Sequence, residues 1–117
     1  MGLRWNRVVI EAADPARLGR WWAEVLGYPI MHEEHGELMI GPDLDLPCIY
    51  FTPAHADKAG KNRLHLDLSP TDQEAEVERL LDMGARHIDI GQGDVGWVVL
   101  ADPEGNEFCV LQSRGED

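Results

Sequence analysis

A strand-then-helix pattern occurs twice in this chain, 58 residues apart. Arg7-Val-Val-Ile-Glu-Ala-Ala-Asp14 opens the first half and His65-Leu-Asp-Leu-Ser-Pro-Thr-Asp72 opens the second. Each is an alternating strand pattern closing on an acidic helix cap. Each then passes through a helical pattern to a glycine, Gly27 or Gly84, and on to short apolar runs of strand length. Those glycines lie 57 residues apart, so the two helical registers differ by one residue. An internal repeat constrains architecture before any single residue is interpreted, because both halves must be the same supersecondary unit. Two like halves also lead one to expect a site between them.

In the first half, Val8, Ile10 and Ala12 alternate with Arg7, Val9 and Glu11, which predicts a strand over 5–12 with one face toward a helix. Asp14-Pro15 is a helix start. The carboxylate can cap free N–H groups, and the proline occupies the first turn, where its missing donor is harmless. Leu18, Trp22, Val25 and Leu26 give an apolar stripe that Gly27 ends. Three short strands follow over 28–33, 37–40 and 48–52, and a polar connection over 53–62 leads to the second half. There the pattern predicts a strand over 62–68 and a capping box of Thr71 with Glu74. The helical stripe is Val77, Leu80 and Leu81, the stop is Gly84, and strands run over 86–90, 97–100 and 107–111. The turn Asp102-Pro-Glu-Gly-Asn106 joins the last two strands, and the glycines of 91–96 read as a hairpin loop rather than a phosphate cradle.

A chain of 117 residues is expected to form one domain, 1–117, with a first module of about 1–55 and a second of about 61–114. At this size no disulfide or metal is needed merely to hold the core. The 10 basic and 22 acidic residues leave a charge of −12, which argues against nucleic acid and anionic membranes as partners and favours a cationic or neutral small molecule. Cys48 and Cys109 lie in apolar runs without a CxxC spacing, as reduced thiols of a cytoplasmic protein would. The opening Met-Gly-Leu-Arg-Trp-Asn shows neither a signal core nor a lipidation motif, and no apolar run has the length of a membrane span.

The order βαβββ twice, the helix opener Ala-Asp-Pro-Ala-Arg-Leu and the turn Asp102-Pro-Glu-Gly-Asn-Glu-Phe108 together resemble the vicinal oxygen chelate superfamily of glyoxalases, bleomycin-resistance proteins and extradiol dioxygenases. Lys61-Asn-Arg-Leu-His-Leu-Asp67 and Arg79-Leu-Leu-Asp-Met-Gly-Ala85 are similar to its glyoxalase-like branch. The resemblance covers nearly the whole chain. It implies an α+β fold of two tandem βαβββ modules whose curved mixed sheets form a cup around the ligand, with the helices outside. It is weak for the reaction, since one scaffold hosts many chemistries.

Strand parity then selects the side chains for that cup. Leu64, Leu66 and Leu68 are expected to face a helix, which turns His65 and Asp67 the other way. Likewise Arg7 and Glu11 lie opposite Val8 and Ile10, and Glu107 and Cys109 opposite Phe108 and Val110. Trp97 could line the cup or the core. Metal-dependent members of the superfamily carry ligands in the first and last strands of each module. The matching positions here are Arg7, one of Tyr50 to Thr52, His65 and Cys109, of which His65 alone is a usual ligand. An arginine does not coordinate a cation. No metal or other cofactor is therefore expected, with a reduced divalent site from His65, Asp67 and Glu107 as the alternative. His65 and Glu107 are the candidate proton-transfer groups, and Arg7, Glu11, Asp67, Trp97 and Cys109 the candidate ligand contacts. Arg7 is expected to pair with Glu11, Asp67 or Glu107, or to anchor a substrate carboxylate. The expected function is binding of a small polar or cationic ligand, the alternative a lyase or isomerase acting on a small oxygenated metabolite. A homodimer formed through sheet edges or Trp21 is a further expectation.

Overall fold

The computed structural model describes residues 2, 5–43, 46–54, 56, 58–89, 91 and 95–113. The chain divides into two compact units, Met1–Asp57 and Lys58–Asp117. In the first, β1 (Arg7–Ala12) leads into α1 (Pro15–Leu26), followed by β2 (Ile30–Glu34), β3 (Glu37–Ile40) and β4 (Cys48–Pro53). Their sheet has the order β1-β4-β3-β2, with β1 parallel to β4 and the other pairs antiparallel. A parallel pair needs a long crossover. Here α1 and the β2–β3 hairpin supply it.

Local chemistry accounts for these elements. Asp14 caps α1 by accepting from the Arg17 N–H at 3.2 Å, Pro15 opens the first turn, and Gly27 at φ +67° closes the helix. The β2–β3 hairpin turns through His35 and Gly36, both at positive φ, as a two-residue loop between twisted strands requires. Leu18, Trp22 and Val25 on α1 are buried, as are Leu38, Ile40 and Phe51 of the sheet. The helix approaches the sheet through Gly19, where an added Cβ would lie 2.6 Å from Leu38 Cδ2 and 3.1 Å from Phe51 Cδ1.

The second unit repeats the plan with β5 (Leu66–Leu68), α2 (Gln73–Asp82), β6 (Arg86–His87), β7 (Val98–Ala101) and β8 (Glu107–Val110). Its sheet order is β5-β8-β7-β6, again with the first strand parallel to the last. Leu80, Leu100, Phe108 and Val110 form its core. The Asp102–Asn106 turn is held by Asp102, buried at 1 % exposure, whose carboxylate accepts the N–H groups of Glu104 and Asn106 at 2.9 Å each.

Three local expectations change. The first strand of this unit begins at Leu66 rather than 62, because the Asn62 N–H is taken by the Glu107 carboxylate at 3.0 Å and its side-chain amide by Asn106. Leu64, expected against a helix, is accordingly 85 % exposed. The helix is capped, as the repeat predicts, by the acidic residue that closes the opening run, Asp72, which accepts from Ala75 N–H at 3.1 Å, and not by a Thr71–Glu74 box. The carboxylate one residue on is the charged acceptor and suits the helix dipole better. Of the expected 86–90 strand and 91–96 loop, Ile90 and Gln92, Gly93 and Asp94 lie outside the described residues.

Gln73, the first residue of α2, fastens the helix to the strand ends. Its amide donates to the carbonyls of Gly96, Val110 and Leu111 at 3.0, 3.1 and 3.0 Å. Gln73→Ala is expected to lower stability by about 1–3 kcal/mol through the carbonyls left behind. Urea denaturation checks this, and an unchanged midpoint contradicts it. Among the described residues no helix is long and apolar enough to cross a membrane.

Candidate functional site

In the first unit, the parallel register sets Arg7 against Cys48, Val9 against Tyr50 and Glu11 against Thr52. The Arg7 guanidinium lies over the Tyr50 ring, 4.4 Å from its centroid. This cation–π contact stands in place of the ion pair with Glu11. Residues four apart on one strand are separated by roughly 13 Å, so Arg7 and Glu11 share a face without meeting. The Tyr50 hydroxyl donates to Glu37 at 2.6 Å. That bond, helped by burial, raises the phenol above its ordinary value of 10.0. Glu37 carries no sequence signal of this role, and Tyr50 stands out in the sequence only as one of the three positions, Tyr50 to Thr52, that match a ligand position of the superfamily. Parity could have placed Tyr50, but only the β1–β4 register puts its ring beneath Arg7.

In the second unit, β5 and β8 set Asp67 directly against Cys109. His65 precedes β5 by one residue, and its Nε2 is 3.1 Å from Asp67 Oδ1. One ligand atom from each of His65, Asp67 and Cys109 lies within 4.8 Å of the others. His65 and Asp67 are exposed, while Cys109 is 4 % exposed. Burial pushes the Cys109 thiol up, and the charge of Asp67 and the thiol's hydrogen bond to it push the same way. The thiol is thus a protonated donor and not an activated nucleophile.

Glu107 does not join this trio. Its carboxylate is paired with Lys58 Nζ at 2.8 Å and accepts the Asn62 N–H at 3.0 Å, with the side chain 4 % exposed. Burial favours its neutral form, yet the Lys58 bond, the Asn62 N–H and the Lys58 charge outweigh burial and bring it below the ordinary 4.5. Lys58 also donates to the Gly60 carbonyl, so Glu107 clamps the start of the second unit onto β8. Sequence reasoning missed Lys58 and Asn62, which lie in an aperiodic stretch that carries no sign of its partners. Trp97 stands one residue before β7, 42 % exposed. His32 and His35 flank Glu34 at 3.4 and 3.2 Å in the exposed β2–β3 hairpin.

The chain matches the glyoxalase-like domain family over residues 7–111 and belongs to it, within the vicinal oxygen chelate superfamily. Comparison with curated protein sequences gives no match. Solved structures share the fold at low identity. A glyoxalase/bleomycin resistance protein/dioxygenase family enzyme from Burkholderia phytofirmans PsJN is 18 % identical with a TM-score of 0.72, over 93 % of this chain and 98 % of that one. The trypanothione-dependent glyoxalase I of Leishmania major is 12 % identical with a TM-score of 0.68, over 96 % and 88 %. TnmS3, an antibiotic binding protein from Streptomyces sp. CB03234, is 17 % identical with a TM-score of 0.64, over 97 % and 99 %.

The superfamily's four-ligand metal centre does not fit the first module. Arg7 has no lone pair to give, and the Tyr50 phenol is bonded to Glu37 and held protonated. In the second module an imidazole, a carboxylate and a thiol do converge.

Proposed function

We propose that this glyoxalase-like chain is a small-molecule-binding protein, taking a small polar or cationic ligand on the helix-free faces of its sheets without the four-ligand metal centre of the superfamily. The observation that carries this reading is the Arg7–Tyr50 stack, a cation and an aromatic ring standing where the first module would otherwise supply metal ligands. The charge of −12 favours cationic ligands over anionic ones. An antibiotic binding protein of the same fold gives the reading a precedent. The same reading has the protein in the cytoplasm, where Cys48 and Cys109 remain free thiols, and allows a homodimer.

A thermal-shift panel of cationic antibiotics and aromatic metabolites tests it. A true ligand at about one hundred times its Kd adds about 2.7 kcal/mol and raises Tm by several degrees. Tyr50→Ala, which removes the ring on which a cation or an aromatic plane would stack, should weaken that ligand at least tenfold, measured by calorimetry. No shift across a broad panel overturns the reading.

A second reading, a lyase or isomerase, rests on the His65–Asp67 pair, because a carboxylate orients an imidazole for proton transfer. Its other candidate group, Glu107, is already bound to Lys58 and Asn62, which leaves His65 to act without it. Loss of turnover in His65→Ala with ligand binding retained is the result that would favour this reading.

A further inference from the structure

We propose that the second module carries a binding site on the helix side of its sheet, a groove between α2 and β7 that takes a small organic cation with one apolar ring. The groove has a volume of about 230 Å3 and is lined by Gln73, Glu74, Val77, Glu78 and Leu81 of α2 and by Val98 of β7. Its origin lies in how the two halves of the repeat diverged. The caps Asp14 and Asp72 put the helices in register at the 58-residue offset, which matches Gly19 with Val77 and Trp22 with Leu80. In the first module Gly19 lets α1 close onto the sheet, and Trp22 is buried beside that approach. The second module has a branched side chain in place of the glycine and a leucine in place of the tryptophan. Accordingly α2 buries Leu80 alone among its described residues, while Val77, Leu81 and Val98 stay half-buried.

The rim decides what such a groove can hold. Glu74 and Glu78 are one helical turn apart and so stand on the same side of α2. Both are exposed, and among the described residues neither forms an ion pair, whereas Glu76 between them is paired with Arg79. Like charges at this spacing repel each other, and a cation held beside both removes the repulsion. The matching residues of α1 are Ala16 and Arg20, so the first module has neither the acidic rim nor the exchanges that open the groove. Gln73 stands at the start of α2 with its amide nitrogen bound to three carbonyls and its backbone N–H bound to Ser113 Oγ, so this side offers no donor to an anion. A volume of about 230 Å3 lies between the ~150 Å3 cavity that holds benzene and the roughly 300–1,000 Å3 of a drug-sized pocket. One ring with an ammonium arm is the size that fits, the ring against Val77, Leu81 and Val98 and the charge at the two carboxylates. The groove is separate from the helix-free faces of the sheets and holds or fails independently of the small-molecule reading above.

Benzylamine, protonated at neutral pH, is the probe, with phenylacetate as an anionic counterpart of similar size. Titrated into the isotopically labelled full chain and followed by amide NMR, benzylamine should shift the Val77, Leu81 and Val98 signals, and phenylacetate should leave them in place. Glu74→Gln combined with Glu78→Gln alters only exposed side chains and should weaken benzylamine at least fivefold with circular dichroism unchanged. Glu24→Gln, which removes an exposed acid of α1, should leave the affinity as it is. Val77→Phe fills the groove and should abolish the shifts, and the double glutamine variant decides the matter if Val77→Phe fails to fold. Equal shifts with phenylacetate, shifts confined to residues outside α2 and β7, unchanged affinity in the double variant, or an equal loss in Glu24→Gln overturns the proposal. So does self-association of the chain that Val77→Phe disperses, because the groove's occupant is then a second copy.

Discussion

Trp22→Ala is expected to cost about 3–5 kcal/mol of stability, the range for removing a large aromatic side chain from a packed core. Trp22 is 2 % exposed, in the middle of the buried stripe of α1. It meets the Trp21 ring edge-on, with centroids 5.0 Å apart and planes at 85°. The surroundings cannot readily collapse into the space left behind. The approach of α1 to the sheet is already set by the close contacts at Gly19, and Leu18, Leu38 and Phe51 are fully buried neighbours in the same unit. Lost burial and residual cavity therefore add. The check is urea denaturation followed by circular dichroism. Trp5→Ala serves as the contrast, since Trp5 is 65 % exposed and its removal should stay within about 0.5 kcal/mol. A Trp22→Ala loss below about 1 kcal/mol would mean that the stripe of α1 is not the anchor of the first unit.

The alternation of β1, the Asp14-Pro15 start and the Gly27 stop made the first unit legible, because these signals act within a few residues of one another. Where the sequence misled, the cause was a contact distant in the chain. The strand expected from 62 starts at Leu66 because Asn62 is claimed by Glu107, 45 positions later. The site shows the same division. Period-two parity correctly groups His65 with Asp67 and Cys109, since a strand fixes which face each side chain takes. Parity does not fix partners. Arg7 shares a face with Glu11 and Tyr50, and only the parallel β1–β4 register decides for the ring. Glu107 has the parity of Cys109, yet Lys58, from an aperiodic stretch, takes its charge.

Glu107→Ala is expected to cost about 2–3 kcal/mol, and the loss should fade in acid. Removing one member of a fully buried pair costs about 3–5 kcal/mol. The value here is lower because Lys58, with its side chain 29 % exposed, can swing to solvent, while the Asn62 N–H loses its acceptor. The carboxylate is held below its ordinary 4.5 in the folded chain. Its stabilising contribution is therefore fully present above the unfolded value of about 4.3 and is lost as pH falls through the lower folded value. The 22 acidic residues make the whole protein acid-sensitive, so the wild type must be compared with Glu107→Gln, which keeps the shape and removes the titration. Urea denaturation of both from about pH 7 to about pH 3 should show a gap that is constant near neutrality and narrows below about pH 4.5. Lys58→Ala should do the opposite, because burial without the lysine pushes the carboxyl up, so this variant is destabilised near neutrality and regains stability as pH falls through the raised value. A gap between wild type and Glu107→Gln that does not change with pH would sink the clamp and return Glu107 to the candidates for proton transfer.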